Sequence, residues 1–382
     1  MNSKIIGIVI LVIAIGGASA YFLSKPNTIT SDSLFTESVI QNEKIGLVIN
    51  TIHPPKSIDD LEKSYKIAAT SGIGRTNLYV HWNQIEPEKG NFDWRVTDIM
   101  MALNEKYNLK TTLYFSVINA DRLGPFPSWM GNQALGKTLE DETIRVLEQI
   151  LSRYDGIDYV IFGADIDYHF QRASGSIPMY KEFFDNVYSK IKSQHPDVKI
   201  GNSLSLENII NKNMTPGGSF ELTPQLEMGD FVAFSYKPTD ILGDIARTPV
   251  NDGERTDLIW PAMDDLKDAI EIYPNTNIAF LEIGWSTGEL INGNQNDQSE
   301  FIKNSLNFFE ENESKIEFLT ISRLFDKPKG TCVPDIEKIP GSSFASNSFR
   351  IDRIDSFVCN SGLIDINENP KPSWLQLKTN IP

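Results

Sequence analysis

The sequence predicts a single (β/α)8 barrel with enlarged loops, and three observations predict it. Eight short apolar runs recur along 382 residues, most are separated by stretches with apolar residues at three- and four-residue spacing, and no composition break divides them. Runs of this kind suit parallel strands buried on both faces.

The elements follow in order. Strands are expected at 45–49, 75–80, 111–116, 159–163, 198–202, 231–236, 278–284 and 316–321. Helices are expected at 58–70, 139–154, 179–193, 263–273 and 298–311, and the fifth connection is the least regular. A doubly wound sheet is the alternative. Against it, no Gly-rich dinucleotide turn follows the first strand and no phosphate loop occurs, so no cofactor is expected.

Ahead of the barrel lies a different kind of sequence. Lys4 precedes an apolar and small-residue run over 5–23, about 28 Å long as a helix, which is just enough to span a bilayer. Ala18-Ser19-Ala20 would also suit signal cleavage. Anchor and signal both remain open. Residues 24–42, rich in Ser, Thr and Asn, read as a linker, and 43–382 as the barrel domain. Either fate of the first segment places the barrel outside the cytoplasm, with the membrane touched only through that segment if it is uncleaved.

Composition narrows the partners. With 35 Lys and Arg against 51 Asp and Glu, the net charge is −16, which repels phosphate backbones and anionic lipid. Nucleic acid is therefore not an expected partner, whereas a neutral oligo- or polysaccharide meets no such repulsion. The two cysteines, Cys332 and Cys359, are a disulfide candidate in an exported chain. The last histidine is His195, so a zinc site of the usual local Cys/His spacing is not available and no metal is expected.

In a barrel, chemistry sits at the C-terminal ends of the strands. Two such ends carry acids: Phe162-Gly163-Ala164-Asp165-Ile166-Asp167 after the fourth run, and Phe280-Leu281-Glu282-Ile283-Gly284-Trp285 at the seventh. Cleaving a glycosidic bond needs one carboxylic acid to protonate the leaving oxygen and a second carboxylate to attack or to activate water. The alternative is a pair of structural acids neutralised by Arg75.

The sequence resembles the retaining glycoside hydrolases of clan A, over roughly residues 45–374. The resemblance rests on Gly74-Arg75-Thr76-Asn77-Leu78-Tyr79 with Trp82, on the segment from Gln84 to Trp94, on Leu281-Glu282-Ile283-Gly284-Trp285-Ser286-Thr287, and on Gly362-Leu363-Ile364-Asp365 with Asn369-Pro370-Lys371-Pro372. It implies that Glu282 is the nucleophile, that Arg75 hydrogen-bonds it, and that Tyr236 is the strand-six tyrosine near it. Strand four departs from the pattern, with Gly163-Ala164-Asp165 where related enzymes read Gly-Asn-Glu. Asp165 then stands as the acid/base, with its carboxyl about 1.5 Å further back.

Asp167 would share the strand face of Asp165 if the strand continued, and His169 lies two further on. Trp82, Trp129 and Trp285 are candidate stacking platforms for sugar rings. Two readings stay open: a hydrolase of β-linked glycosides, and a sugar-binding or cell-surface interaction barrel that has lost efficient catalysis.

Overall fold

The computed structural model describes residues 40–210, 219–238, 247–249, 260–332 and 348–382. The apolar segment 1–23 and most of the linker lie outside the described residues. Among the described residues, no helix is long and apolar enough to cross a membrane.

Eight parallel strands close into a barrel: β1 (Asn42–Leu47), β2 (Ile73–Tyr79), β3 (Lys110–Asn119), β4 (Ile157–Ala164), β5 (Lys199–Ser205), β6 (Phe231–Tyr236), β7 (Ile278–Ile283) and β8 (Ile316–Ile321). Each pairs with its sequence neighbour, and β8 pairs with β1, so the sheet has no free edge among these strands. This is the (β/α)8 architecture expected from the sequence.

The main helices are α1 (Ile58–Ala69), α2 (Arg95–Lys106), α3 (Lys137–Arg153), α4 (Ile177–Gln194), α5 (Ala262–Ile272), α6 (Gln295–Glu311), α7 (Ser348–Cys359) and α8 (Pro372–Asn380). Their starts carry local signals. Ser57 caps α1 by accepting from the Asp60 amide, while the Asp60 side chain answers the cap backbone. Asn294 caps α6 in the same way from Asp297. Among its described residues, the connection after β5 holds a short helical piece, Leu206–Ile210, and a 3-10 turn, Ser219–Gln225, in keeping with its weak periodicity.

Two apolar layers result. The larger packs strand faces against the helices, while Tyr159, Ile161, Ala164, Phe231, Ala233, Ala279, Leu281 and Phe318 fill the barrel interior. Cys332 and Cys359 are joined in a disulfide that ties α7 to the segment after β8.

Candidate active site

Strand alternation decides what reaches the cleft. Arg75, Asn77 and Tyr79 lie on one face of β2, two residues apart. Tyr79, at the C-terminal end, donates its hydroxyl to the Glu282 carboxylate. Glu282 lies opposite Ser235 in the β6–β7 register, so both side chains leave their strands at one level. Beside them Lys237, the first residue after β6, places its ammonium 3.3 Å from Glu282 Oε2.

Asp165 arrives from β4 by a sharp turn. Its backbone is left-handed, with φ 47°, a conformation that Asp tolerates better than most residues. The approach is tight, since a Cβ at Gly163 would stand 2.6 Å from both Ile166 and the Tyr180 hydroxyl. Only glycine fits there. The turned carboxyl accepts from Ser235 Oγ at 2.7 Å and from Ser203 Oγ at 3.3 Å, and the Asp165 amide donates to Ser203 Oγ at 3.0 Å.

Asp165 and Glu282 thus face one cleft of about 400 Å³, bordered also by Tyr79, Tyr114, Tyr168, Ser205, Glu207 and Lys237. That is the size of small-ligand sites. Tyr79 and Tyr114 pack with ring centroids 5.2 Å apart, giving the cleft an aromatic wall.

The two carboxyls are held in different states. Burial opposes charge on Glu282, but Lys237, the Tyr79 hydroxyl and Arg323 outweigh it and hold the group below the usual carboxylate range. At Asp165 burial prevails over its serine donors and Lys237, and the Glu282 charge adds to it, so its proton affinity is raised. Burial also pushes Glu207 up to about 8 and Asp167 up to about 7.

Several expected residues stand elsewhere. Arg75 does not bond Glu282, because it lies four residues deeper on β2, about 13 Å at roughly 3.3 Å per residue. It pairs with Asp158 at 2.7 Å, donates to the Glu43 carbonyl, and stacks over Tyr159 at 4.7 Å as a plug in the barrel floor. That also removes it as a neutralising partner of Asp165 and Glu282. Tyr236 borders the cleft, yet its hydroxyl turns outward to Asp265 at 2.6 Å, since it is one residue out of phase with Ser235.

None of the three candidate tryptophans borders the cleft. Trp82 is buried against Phe115 and Phe126 and donates to Glu86 at 2.8 Å, so it fastens the loop after β2. Trp129 donates to the Glu86 carbonyl at 3.1 Å. Trp285 is buried against Phe301 behind β7. Asp167 does not continue a strand, because the chain turns at Asp165 and a short helix, Asp167–Ala173, follows. Its buried carboxyl accepts from the Ser205 amide at 2.8 Å and from Asn208, and so ties that helix to the end of β5. His169 Nδ1 meets the Asp121 carbonyl at 3.2 Å.

Tyr79, Lys237, Ser203, Ser235 and Glu207 were not among the expected site residues. Tyr79 carried a usable signal: it has the parity of Arg75 and ends its strand.

No family model matches the chain, and no curated protein matches it by sequence. Solved structures match by shape. A psychrophilic glycoside hydrolase family 10 endo-β-1,4-xylanase superposes with a TM-score of 0.57 at 14% identity, covering 88% of this chain and 96% of the xylanase. The GH5_18 protein of Bifidobacterium longum, in complex with Manβ1-4GlcNAc, gives a TM-score of 0.59 at 12% identity over 88% of this chain and 77% of its own. A family 39 glycoside hydrolase from Bacteroides cellulosilyticus gives 0.56 at 14% identity, with 89% of this chain and 64% of that one covered. At such identities the shared property is the fold: this chain has the (β/α)8 fold of glycoside hydrolases of families 5, 10 and 39.

Proposed function

We propose that the chain hydrolyses β-linked glycosides with two carboxyls, Glu282 as nucleophile and Asp165 as acid/base. One observation carries the reading: a single cleft holds two carboxyls whose surroundings push their proton affinities apart, Glu282 toward the ionised form and Asp165 toward the protonated one. Asp165 would give its proton to the leaving oxygen as the C1–O bond breaks and the bond from C1 to Glu282 forms. Water, deprotonated by Asp165, would then add to C1 and release Glu282. The glycoside hydrolase folds matched above support the substrate class.

A second reading has its own support. Asp165 is the shorter acid and is already engaged by Ser203 and Ser235, and Ala164 offers no polar group to a sugar. A barrel that binds a β-glycan without cleaving it would tolerate both. The test incubates the full chain with a panel of aryl β-glycosides and β-glycans, with Glu282→Gln in parallel. Turnover lost in the variant with unchanged thermal unfolding supports hydrolysis; glycan binding without turnover supports the binding barrel.

The place of action is proposed as extracytoplasmic, either secreted or tethered through the apolar segment 5–23. The Cys332–Cys359 disulfide supports an oxidising compartment.

A further inference from the structure

Strand β8 ends at Ile321, and two residues on, at the same rim of the barrel, lies Arg323. The Ser322 amide donates to the Ile283 carbonyl at 2.8 Å and the Leu324 amide to the Val48 carbonyl at 2.9 Å, so the segment is fastened between the ends of β7 and β1. Arg323 is thereby fixed beside the strand end that carries Glu282, and its charge is among those that act on that carboxylate.

Two of its three guanidinium nitrogens are nevertheless unengaged: Nε and Nη1 are buried and have no acceptor among the described residues. Arginines elsewhere in the barrel are paired: Arg75 with Asp158, Arg145 with Glu86 and Arg247 with Asp265. In a chain with an excess of sixteen acids, partners for an arginine are plentiful. Two buried donors left over beside the end of β7, with no acceptor among the described residues, suit an acceptor that a bound ligand supplies.

A second cation stands beside the same carboxylate, Lys237 at 3.3 Å. The Lys237 side chain borders the cleft and stays 41% exposed. Of the carboxyls nearby, burial keeps Asp167 and Glu207 protonated at pH 6 and moves Asp165 in the same direction. Arg323 and Lys237 thus act together beside the Glu282 charge.

We propose that the sugar seated against Glu282 carries an acidic substituent, a uronate carboxylate or a sulfate ester, which Arg323 receives by charge-assisted hydrogen bonds with Lys237 beside it. This deepens the reading of the cleft as a glycan site and rests on it.

The test uses the full chain at pH 6 with three probes: 4-nitrophenyl β-D-glucuronide, the matching β-D-glucoside, and that glucoside sulfated at O6. Binding is measured by calorimetry on Glu282→Gln and turnover on the unaltered chain. One anionic probe is expected to bind at least ten-fold more tightly than the glucoside, with an advantage that shrinks as salt rises. The glucuronide and sulfate arms tell the two sources of charge apart. Arg323→Met should reduce the advantage to less than two-fold, and Arg323→Lys should retain part of it. If Arg323→Met does not fold, Arg323→Lys and the salt series still decide.

Equal affinity for the neutral and anionic probes, or an advantage that survives Arg323→Met, overturns the proposal. Turnover of the glucoside without anionic preference leaves hydrolysis standing and this proposal fallen. Anionic preference without turnover does the reverse, and binding of none of the three probes overturns both.

Discussion

The Lys237 ammonium stands 3.3 Å from a Glu282 carboxylate oxygen, and the Tyr79 hydroxyl donates to that same carboxylate. Together these contacts offset the burial that would otherwise protonate Glu282. In the proposed hydrolysis the attacking carboxylate must be ionised, so both neighbours would set the acid limit of activity.

Lys237→Met removes the cation. The affinity of Glu282 for its proton then rises, and the acidic limb of kcat/KM moves to higher pH. A charge-assisted contact of this kind contributes about 1.5–3 kcal/mol, roughly ten- to a hundred-fold in kcat/KM. A pH–rate profile checks both the direction and the size, and an unmoved acidic limb would mean that Lys237 does not govern Glu282.

Tyr79→Phe keeps the ring packed on Tyr114 and removes only the hydroxyl. Turnover should fall by roughly ten-fold, the value of about 1.4 kcal/mol, and the acidic limb should again rise, by less than for Lys237→Met. Thermal unfolding separates this effect from a packing defect, because the ring contacts remain.

The barrel frame was legible because strands buried on both faces must be apolar throughout, and runs such as 231–236 and 316–321 stand out against amphipathic helices. The two acids were legible because strand ends in a barrel point to its mouth. Depth and phase were not. Arg75 matched a motif by residue type, yet it sits about 13 Å below the mouth on the face that Tyr79 completes. Tyr236 and Ser235 differ by one residue and therefore by one face, and only the register against Glu282 shows that the serine is the inward one. Lys237 lies just past its strand, where periodicity ends and only three-dimensional position gives it a role.

The disulfide makes a separate stability prediction. Cys332 and Cys359 are 27 residues apart, and closing a loop of that length removes roughly 3.5 kcal/mol of entropy from the unfolded chain. Replacing both cysteines by Ala should lower the stability measured by denaturant unfolding by a comparable amount. A chain indifferent to this change would show that the segment between them already has little freedom when unfolded.

Asp167 predicts a pH dependence of stability. Its folded-state value, raised by burial to about 7, lies above that of an unfolded aspartate, so between the two the folded chain holds a proton that the unfolded chain has released. Stability from this group is complete below the unfolded value and is lost as pH rises toward 7. Asp167→Asn should flatten the fall in stability from pH 5 to pH 7, by at most about 1.4 kcal/mol per pH unit. Urea unfolding at three pH values checks it.

Asp165→Asn tests the proton donor with little change of shape. Asparagine tolerates the left-handed backbone, and its amide oxygen can still accept from Ser235 and Ser203. What is lost is the transferable proton, a step worth 10²–10⁴-fold. The loss in kcat/KM, which reports the first step, should depend on the leaving group: an acidic phenol departs without protonation, so aryl glycosides of 2,4-dinitrophenol should lose little kcat/KM, while alkyl glycosides and glycans lose the full factor. A uniform loss across leaving groups would make Asp165 a binding or structural residue and would move the proton donor to another carboxyl of the cleft.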